Sequence, residues 1–96
     1  MTEKSLQASI IEMCKLFGIV SYHTFDSRRS DRGWPDLAMC GKRGFITREI
    51  KSDRGTVTPD QEQWGVLLNQ AGVSWDVWRP ADLRSGRIEN ELRAIR

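Results

Sequence analysis

Three charged side chains stand in segments that otherwise consist mainly of apolar residues. Asp36 precedes one apolar run, and Glu49 and Lys51 stand two residues apart at the end of another. Because side chains alternate across a strand, Glu49 and Lys51 share one face. Two carboxylates and the backbone carbonyl of Ile50 suit a hard divalent cation such as Mg²⁺. A nearby lysine can hold an attacking water and offset the charge that develops on a phosphate.

A hairpin would bring these charges together. Segments 35–40 and 45–51 are typical of strands, and the GKRG sequence at 41–44 is typical of a hairpin turn. Joined in this way, the strands place Asp36 near Glu49 and Lys51 at one edge of a sheet. Taken singly, each charge has an ordinary explanation, since Asp after Pro favours a turn and Glu-x-Lys can be a solvated cross-strand pair.

The first part of the chain predicts a helix and a strand that precede the hairpin. Apolar residues at helical spacing run from about Glu3 to Phe17, with Thr2 as a cap and Gly18 at the end. β-branched and aromatic residues at 19–25 predict a strand. The polar stretch 26–33 predicts a basic loop.

The segment after the hairpin predicts a second helix and a fourth strand. Thr58 suits the N-cap, Pro59 the first helical position, and Gln61 at the third position completes a capping box. Alternation over 73–79 predicts a strand that Pro80 ends, and a last short helix is predicted at 86–95. The order is therefore α-β-β-β-α-β. The second helix is expected to bury Trp64, Leu67, Leu68 and Ala71, and Trp75 and Val77 are also assigned to the core.

Length and composition narrow the class of protein. The 96 residues suit one domain over positions 1–96, whose core is thin enough for dimerisation to add useful buried area. A formal net charge of +2 does not by itself indicate nucleic acid. Cys14 and Cys40 lack metal-ligand spacing and are interpreted as reduced core residues. With no apolar run near ~18 residues and a polar N-terminus, we expect a cytoplasmic protein that binds no membrane.

Four short motifs, taken together, resemble the VRR-Nuc branch of the PD-(D/E)xK nucleases. In chain order they are GWPDL at 33–37, REIK at 48–51, Thr58-x-x-Gln61-x-x-Trp64 and VWRP at 77–80. The resemblance covers nearly the whole chain, as in small stand-alone phage and bacterial members. It implies an α+β fold with a restriction-endonuclease-like α-β-β-β-α-β core, in which a mixed four-stranded sheet is flanked by helices.

The same resemblance implies an activity. Members of the family hydrolyse phosphodiester bonds in DNA with Mg²⁺ or Mn²⁺, one or two ions per site, and with no organic cofactor. Stand-alone members act as homodimers on branched DNA such as four-way (Holliday) junctions. Asp36, Glu49 and the Ile50 carbonyl are then the expected metal ligands, and Lys51 is expected to position water or stabilise the transition state.

The family also places a glutamate of the first helix near the metal. Glu3 and Glu12 are the candidates. Helical spacing favours Glu3, because it shares the buried face with Leu6 and Ile10, whereas Glu12 lies nearly opposite. We therefore expect Glu3 as a further metal ligand.

Gln61 has two interpretations. As a capping-box residue it needs no further role. The resemblance instead places a glutamine here beside the catalytic lysine, which would make Gln61 a catalytic residue. Gln63 fits less well, because it breaks the Thr-x-x-Gln-x-x-Trp spacing.

Several residues near the hairpin are candidates for DNA contacts. Ordinary surface charge explains the basic ones equally well, and the tryptophan could stack on a base or cover the edge of the core. Weaker candidates are Lys15, Arg48 and Arg54. The main candidates are Arg28, Arg29, Arg32, Trp34, Lys42 and Arg43.

Other functions compete with a junction nuclease. Within the enzyme class, the substrate could be a flap, a single strand or a duplex. Outside it, the chain could be a non-catalytic DNA-binding module, or an interaction subunit whose charges form surface pairs. A sequence-specific restriction enzyme is less favoured, because no segment resembles a base-reading helix.

Overall fold

A four-stranded sheet carries the helices of this protein. The computed structural model describes residues 1–25 and 31–96, so Arg28 and Arg29 lie outside the described residues. In chain order, the elements of those ranges are α1 (Glu3–Phe17), β1 (Val20–His23), β2 (Leu37–Gly41), β3 (Gly44–Ile50), α2 (Pro59–Gln70), β4 (Ser74–Trp78), α3 (Pro80–Arg84) and α4 (Arg87–Ile95). The predicted order α-β-β-β-α-β is confirmed, with two short helices after it. None of the helices in the described ranges has the length and apolar run that crossing a bilayer would need.

The sheet is mixed, as predicted. Its strands lie in the order β1-β2-β3-β4, with antiparallel pairing of β1 to β2 and of β2 to β3, and parallel pairing of β3 to β4. Gly41 pairs with Gly44 across the β2–β3 turn. Because β3 and β4 are parallel, the residues that follow Ile50 and Trp78 emerge at the same edge of the sheet.

One face of the sheet, which we call the helix face, packs against α1 and α4. Alternation along β2 and β3 directs Leu37, Met39, Ile46 and Ile50 to this face, where all four are buried. Each fully buried side chain of this kind contributes about 1.5–3 kcal/mol relative to exposure. The helices and β4 complete the core with Leu6, Ile10, Cys14, Trp78, Ile88, Leu92 and Ile95.

The second face of the sheet is covered only in part, because α2 packs mainly on β4. The contact is made by Gly65, where a Cβ would lie 2.4 Å from the Trp75 ring. The predicted burial of the α2 side chains is therefore wrong for Leu67 and Ala71, which are exposed. Because Gly65 has no side chain, the α2 backbone approaches Trp75 closely. The contact between α2 and the sheet is therefore made at Gly65 and not by a row of buried leucines. Four other residues that were assigned to the core are only half-buried: Trp64, Leu68, Trp75 and Val77.

None of the helices in the part of the chain that the structure describes covers the β1 end of the second face. Val20, Tyr22 and Phe45 are 75%, 64% and 46% exposed, and Cys40 is exposed beside them. Val20 pairs with Cys40, and Cys40 pairs with Phe45, so these three side chains form one row. Tyr22 pairs with Ala38 and lies in the next row. We call Val20, Tyr22, Cys40 and Phe45 the open patch. The assignment of Cys40 to the core is wrong because α2 does not cover this end of the sheet.

Helix α3 is an element that the sequence analysis missed. Pro80 ends β4 as predicted, but it also occupies the first turn of α3. The N–H of Arg79 donates to Asp82 Oδ2 (2.8 Å) and so caps the new helix. Five residues are too few to display an apolar period, which is why this helix could not be predicted from its pattern.

Candidate active site

The β2–β3 register places Asp36 beside Glu49. Leu37 pairs with Arg48, so the next pair outward is Asp36 and Glu49, whose side chains lie on the second face. The N–H of Ile50 donates to Asp36 Oδ2 (2.8 Å). Thr24 holds the adjoining backbone, because its N–H donates to the Asp36 carbonyl and its hydroxyl to the Pro35 carbonyl, each at 3.0 Å. Asp36 is therefore fixed from both neighbouring strands.

Glu49 is an acidic residue in an almost fully buried position, with 2% of its surface exposed. Burial, and then the hydrogen bond and charge of Asp36, raise the pKa of Glu49 to about 9. No donor in the described ranges reaches Glu49 Oε2, which is buried. Two carboxyl groups within hydrogen-bonding reach must share a proton or a cation, since two bare carboxylates would repel each other.

Lys51 lies next to this pair, with 9% of its surface exposed. Its backbone N–H donates to the Trp78 carbonyl (3.0 Å), which fixes the end of β3 to β4. Its positive charge acts on Glu49 in the opposite direction to burial and Asp36, and lowers the Glu49 pKa. A positive charge near Glu49 can compensate one negative charge at this edge of the sheet.

Glu3 reaches the same edge from the start of α1. Its Oε2 accepts a long hydrogen bond from the Ser52 N–H (3.4 Å), and its charge adds a smaller upward influence on the Glu49 pKa after burial and Asp36. Over residues 1–25 and 31–96, however, no group of three or more His, Cys, Asp or Glu side chains is arranged to hold a metal ion. Glu3 is thus a neighbour of the carboxyl pair, and its carboxylate is hydrogen-bonded to the backbone N–H of Ser52. Glu12 is exposed and pairs with Lys15 (3.3 Å).

Gln61 is a capping-box residue that also contacts Glu49. Its Oε1 accepts from the Thr58 N–H (2.9 Å), and its own N–H donates to Thr58 Oγ1 (3.2 Å), which is the capping box. Its Nε2 donates to Glu49 Oε1 (3.2 Å). The first turn of α2 is therefore connected directly to the buried carboxyl group. Gln63 is exposed.

The oxygen atoms of this cluster could hold a hard divalent cation. The carboxyl groups of Asp36 and Glu49 are adjacent, and no donor among residues 1–25 and 31–96 reaches Glu49 Oε2. In an extended strand the N–H and C=O of a residue point the same way, so the Ile50 carbonyl turns toward the Asp36 side, as its N–H does. An all-oxygen donor set is what Mg²⁺ and Mn²⁺ prefer. The residues present therefore fit such an ion.

The loop residues before Asp36 are anchored to α2. The Trp34 ring meets the Trp64 ring edge-on, with centroids 4.9 Å apart, and Trp64 Nε1 donates to the Arg32 carbonyl (3.0 Å). Gly33 has φ +87, and a Cβ there would lie 2.3 Å from the Asp60 carbonyl oxygen. Trp34 thus has a packing role on the protein itself. The Arg32 side chain is exposed beside this anchor.

The two basic residues of the hairpin turn lie at the other end of the strands from Asp36 and Glu49. Lys42 is exposed. The Arg43 guanidinium donates to the carbonyls of Arg96 (3.2 Å) and Arg93 (3.1 Å), so it holds the end of α4. The turn residues are therefore separated from the carboxyl pair by most of the length of β2 and β3.

Arg48 is a weaker DNA candidate that the structure places elsewhere. It is buried on the helix face, where its Nη2 contacts Glu91 Oε1 (2.7 Å) and its guanidinium stacks over Trp78. The prediction that Arg48 contacts DNA phosphate is therefore wrong. The alternation that sends Glu49 to the second face necessarily sends Arg48 to the helix face.

Arg79 is a residue of the cluster to which the sequence analysis gave no role. Its Nη1 donates to the carbonyls of Ser52 (2.6 Å) and Gly55 (2.7 Å), in the turn that follows Lys51. The VWRP motif marked its position in the sequence. Its partners are backbone atoms, so no pattern of side chains could have indicated them.

Comparison with known proteins gives a structural likeness. No family model matches the chain, and no curated protein matches it. A solved structure described as a VRR_NUC domain protein is similar with a TM-score of 0.74 and 22% identity, over 98% of this chain and 90% of that chain. Archaeoglobus fulgidus Hjc, a Holliday junction resolvase from an archaeal hyperthermophile, is similar with a TM-score of 0.54 and 20% identity, over 81% of this chain and 65% of that chain. The likeness predicted from the four motifs is confirmed at the level of the fold: this chain has the restriction-endonuclease-like fold of a VRR_NUC domain protein.

Proposed function

We propose that this protein is a Mg²⁺- or Mn²⁺-dependent endonuclease that hydrolyses phosphodiester bonds in branched DNA such as four-way junctions. The observation that carries the proposal is the carboxyl pair of half-buried Asp36 and buried Glu49 near Lys51, with Glu49 Oε2 lacking a donor within the described ranges. The shared fold with a VRR_NUC domain protein and with a Holliday junction resolvase supports the reaction class and the substrate.

The chain supplies three functions to this reaction. Asp36, Glu49 and the Ile50 carbonyl would hold the metal, which when bound supplies Lewis-acid activation of the phosphate and a more acidic water. Gln61 holds Glu49 Oε1, which leaves Oε2 for the metal. The Lys51 ammonium orients the attacking water and offsets the negative charge that grows on the phosphate.

A purely structural or binding role accounts poorly for Glu49. A buried carboxyl oxygen without a donor destabilises a fold by roughly 1–3 kcal/mol or more. A module that only bound DNA would gain nothing from placing two carboxyl groups where phosphates approach, because they repel them. A catalytic site tolerates this cost because the oxygens are needed as ligands.

The donor set favours one ion per site. Asp36 and Glu49 supply two carboxyl groups, whereas Glu3 is hydrogen-bonded to Ser52 and would have to leave it to join a second ion. We propose that Glu3 acts on the site through its charge and through the turn that it holds. A second ion would require DNA phosphate oxygens as additional ligands.

We propose a homodimer in which the open patch forms the contact. Val20, Tyr22 and Phe45 are apolar, and β1 is an edge strand, which suits a second copy of this chain better than a polyanion. The patch lies on the same face as the carboxyl pair. Val20, Cys40 and Phe45 lie toward the opposite strand ends, and Tyr22 lies in the row between them and the carboxyl pair. A twofold arrangement would leave two sites open, as a four-way junction with matching symmetry requires.

The test is cleavage of labelled DNA. A four-way junction, a flap and a linear duplex are incubated with Mg²⁺, Mn²⁺ or EDTA and with wild type, Asp36→Asn or Lys51→Ala. We expect metal-dependent cleavage, fastest on the junction, that both substitutions abolish. Glu12→Gln alters an exposed carboxylate and should cleave like wild type. Equal cleavage by wild type and both site variants would rule out the assigned residues, and tight junction binding without cleavage would favour the binding module.

A further inference from the structure

The turn that follows Lys51 lies directly against the candidate site. The N–H of Gly55 donates to the Ser52 carbonyl (3.3 Å) and closes the turn, and the Ser52 N–H donates to Glu3 Oε2 (3.4 Å). A Cβ at Gly55 would lie 3.5 Å from Lys51 Cδ and 3.4 Å from Glu3 Oε2. Gly55, at the end of the turn 52–55, therefore lies close to the aliphatic part of the Lys51 side chain. Its position limits where the Lys51 ammonium can go.

Arg79 holds this turn from the end of β4. It follows Trp78, which pairs with Ile50, so Arg79 emerges beside Lys51 at the same edge of the sheet. One nitrogen, Nη1, donates to the carbonyls of both Ser52 and Gly55, at 2.6 and 2.7 Å. The two accepting residues are the first and last of the turn. The contact consequently fixes the shape of the turn as well as its place.

Arg79 is itself held firmly. Its N–H donates to Asp82 Oδ2 (2.8 Å), and Pro80 follows with a restricted backbone. Within residues 1–25 and 31–96 its guanidinium forms no ion pair with a carboxylate, so its charge is directed to backbone carbonyls. Arginine suits this position because it can donate to two fixed acceptors at once with a planar, preorganised group.

We infer that Arg79 is a positioning residue for Lys51. By holding the turn 52–55 against the Lys51 side chain, it keeps the ammonium beside Glu49 in the geometry that the reaction needs. The inference rests on the proposed nuclease function for its effect on catalysis. Its effect on the Lys51 environment is independent of that function and can be measured without DNA.

The first measurement is the reactivity of Lys51 toward an amine-labelling ester, followed by mass spectrometry in the absence of DNA and metal. Arg79→Met keeps the volume and removes both hydrogen bonds, so we expect Lys51 to label roughly threefold to tenfold faster than in wild type, as local opening becomes easier. Lys15 and Lys42 are exposed and provide internal references. Arg84→Ala is the matched control, because Arg84 touches the same turn only through an exposed pair with Asp53 (3.7 Å).

The second measurement separates turnover from DNA binding. With a labelled four-way junction, we expect Arg79→Met to lower the single-turnover cleavage rate about tenfold to a hundredfold, the scale of a small misplacement of a catalytic group. Junction affinity, measured with Ca²⁺ in place of the reactive metal, should change by no more than roughly twofold. Arg79→Lys keeps the charge but lacks the planar group, and is expected to show the same pattern with a smaller loss.

The outcomes distinguish this inference from the proposed function. Unchanged Lys51 labelling in both Arg79 variants would overturn the positioning role, whether or not the protein cleaves DNA. Faster Lys51 labelling with no cleavage by wild type would support the role and count against the nuclease. Weaker junction binding with an unchanged rate in the bound complex would mean that Arg79 contacts DNA directly, and would also overturn it.

Discussion

Asp36 and Glu49 stand opposite one another across the β2–β3 hairpin, with their carboxyl groups within hydrogen-bonding reach and Glu49 almost fully buried. Their proximity makes full ionisation of the pair costly, because like charges repel strongly where water is excluded. Either a proton or a cation must compensate. The pair therefore couples the stability of the fold to pH and to divalent ions.

Replacement of Glu49 by Gln should flatten the pH dependence of stability. The Glu49 pKa is raised from 4.5 to about 9 by burial and by Asp36. Between these values the folded protein binds more protons than the unfolded chain, so the free energy of unfolding falls as pH rises, by up to about 1.4 kcal/mol per pH unit. Urea denaturation at several pH values in EDTA should show this fall in wild type and much less of it in Glu49→Gln. Glu12→Gln should follow wild type, and parallel curves for Glu49→Gln and wild type would contradict the prediction.

Divalent ions should stabilise the wild-type fold through the carboxyl pair. An ion that binds the folded protein alone adds about 1.4 kcal/mol at roughly ten times its dissociation constant. Thermal unfolding with increasing Mn²⁺ should therefore show a rising Tm for wild type and little change for Asp36→Asn. Glu12→Gln again serves as a control and should respond like wild type. A Tm increase of the same size in Asp36→Asn would place the ion elsewhere.

Substitutions at Thr58 and Gln61 should distinguish the effect of helix capping on stability from the effect of the Gln61–Glu49 contact on cleavage. Thr58→Ala and Gln61→Ala each remove part of the capping box, so each should lower the free energy of unfolding by about 0.5–2 kcal/mol. Only Gln61→Ala also removes the donor to Glu49 Oε1. Single-turnover cleavage at a temperature where both variants are folded should be near wild type for Thr58→Ala and clearly slower for Gln61→Ala. Equal cleavage rates in the two variants would mean that Gln61 acts only as a helix-capping residue.

Gly33 should tolerate substitution far less well than Gly72. Both have a left-handed φ, +87 and +88, so alanine is strained at either position. A Cβ at Gly33 would collide with the Asp60 backbone, whereas a Cβ at Gly72 meets nothing within 4 Å. Chemical denaturation should give a loss of roughly 1 kcal/mol for Gly72→Ala, and a further 1–3 kcal/mol or so for Gly33→Ala. Similar losses would show that the loop can move off α2 without cost.

A charge in the open patch should separate the proposed dimer. Tyr22→Glu places a carboxylate in the patch next to Val20, and burying it in a contact would be unfavourable. Sedimentation at several concentrations should show a dimer for wild type and a monomer for Tyr22→Glu. Leu16→Glu is the matched control, since Leu16 is an exposed apolar residue of α1, outside the patch. A monomeric wild type, or dissociation by Leu16→Glu, would contradict the proposed contact.

The hairpin could be predicted from the sequence because its signals are local. Gly41 and Gly44 bound the turn, alternation assigns the faces, and both act over a few residues. The capping box at Thr58 and Gln61 was predicted for the same reason. That its glutamine also reaches Glu49 depends on how α2 packs, which is a property of the whole fold.

The features that escaped prediction all depend on contacts distant in sequence. Leu67 was expected in the core because its spacing is helical, yet the packing of Gly65 on Trp75 leaves it exposed. Arg48 belongs to the same short motif as Glu49, but its partner Glu91 lies 43 residues further along the chain. Arg79 binds backbone carbonyls, for which the sequence has no specific signal.

Lys42 and Arg43, which connect β2 to β3, lie far from the carboxyl pair. The length of the turn that they form nevertheless determines which residue of β3 lies opposite Asp36. Pairing of Gly41 with Gly44 sets the phase of both strands, and with it which residue of β3 faces Asp36. Adding one residue there, with a two-residue turn kept, would shift β3 by one position and exchange the faces of Arg48 and Glu49. Asp36 would then meet a guanidinium and form an inert ion pair, while the glutamate would turn into the apolar core. Under the proposed function, a change in the length of this turn should therefore be as harmful as the loss of a carboxyl group, and length variation should be tolerated elsewhere before it is tolerated here.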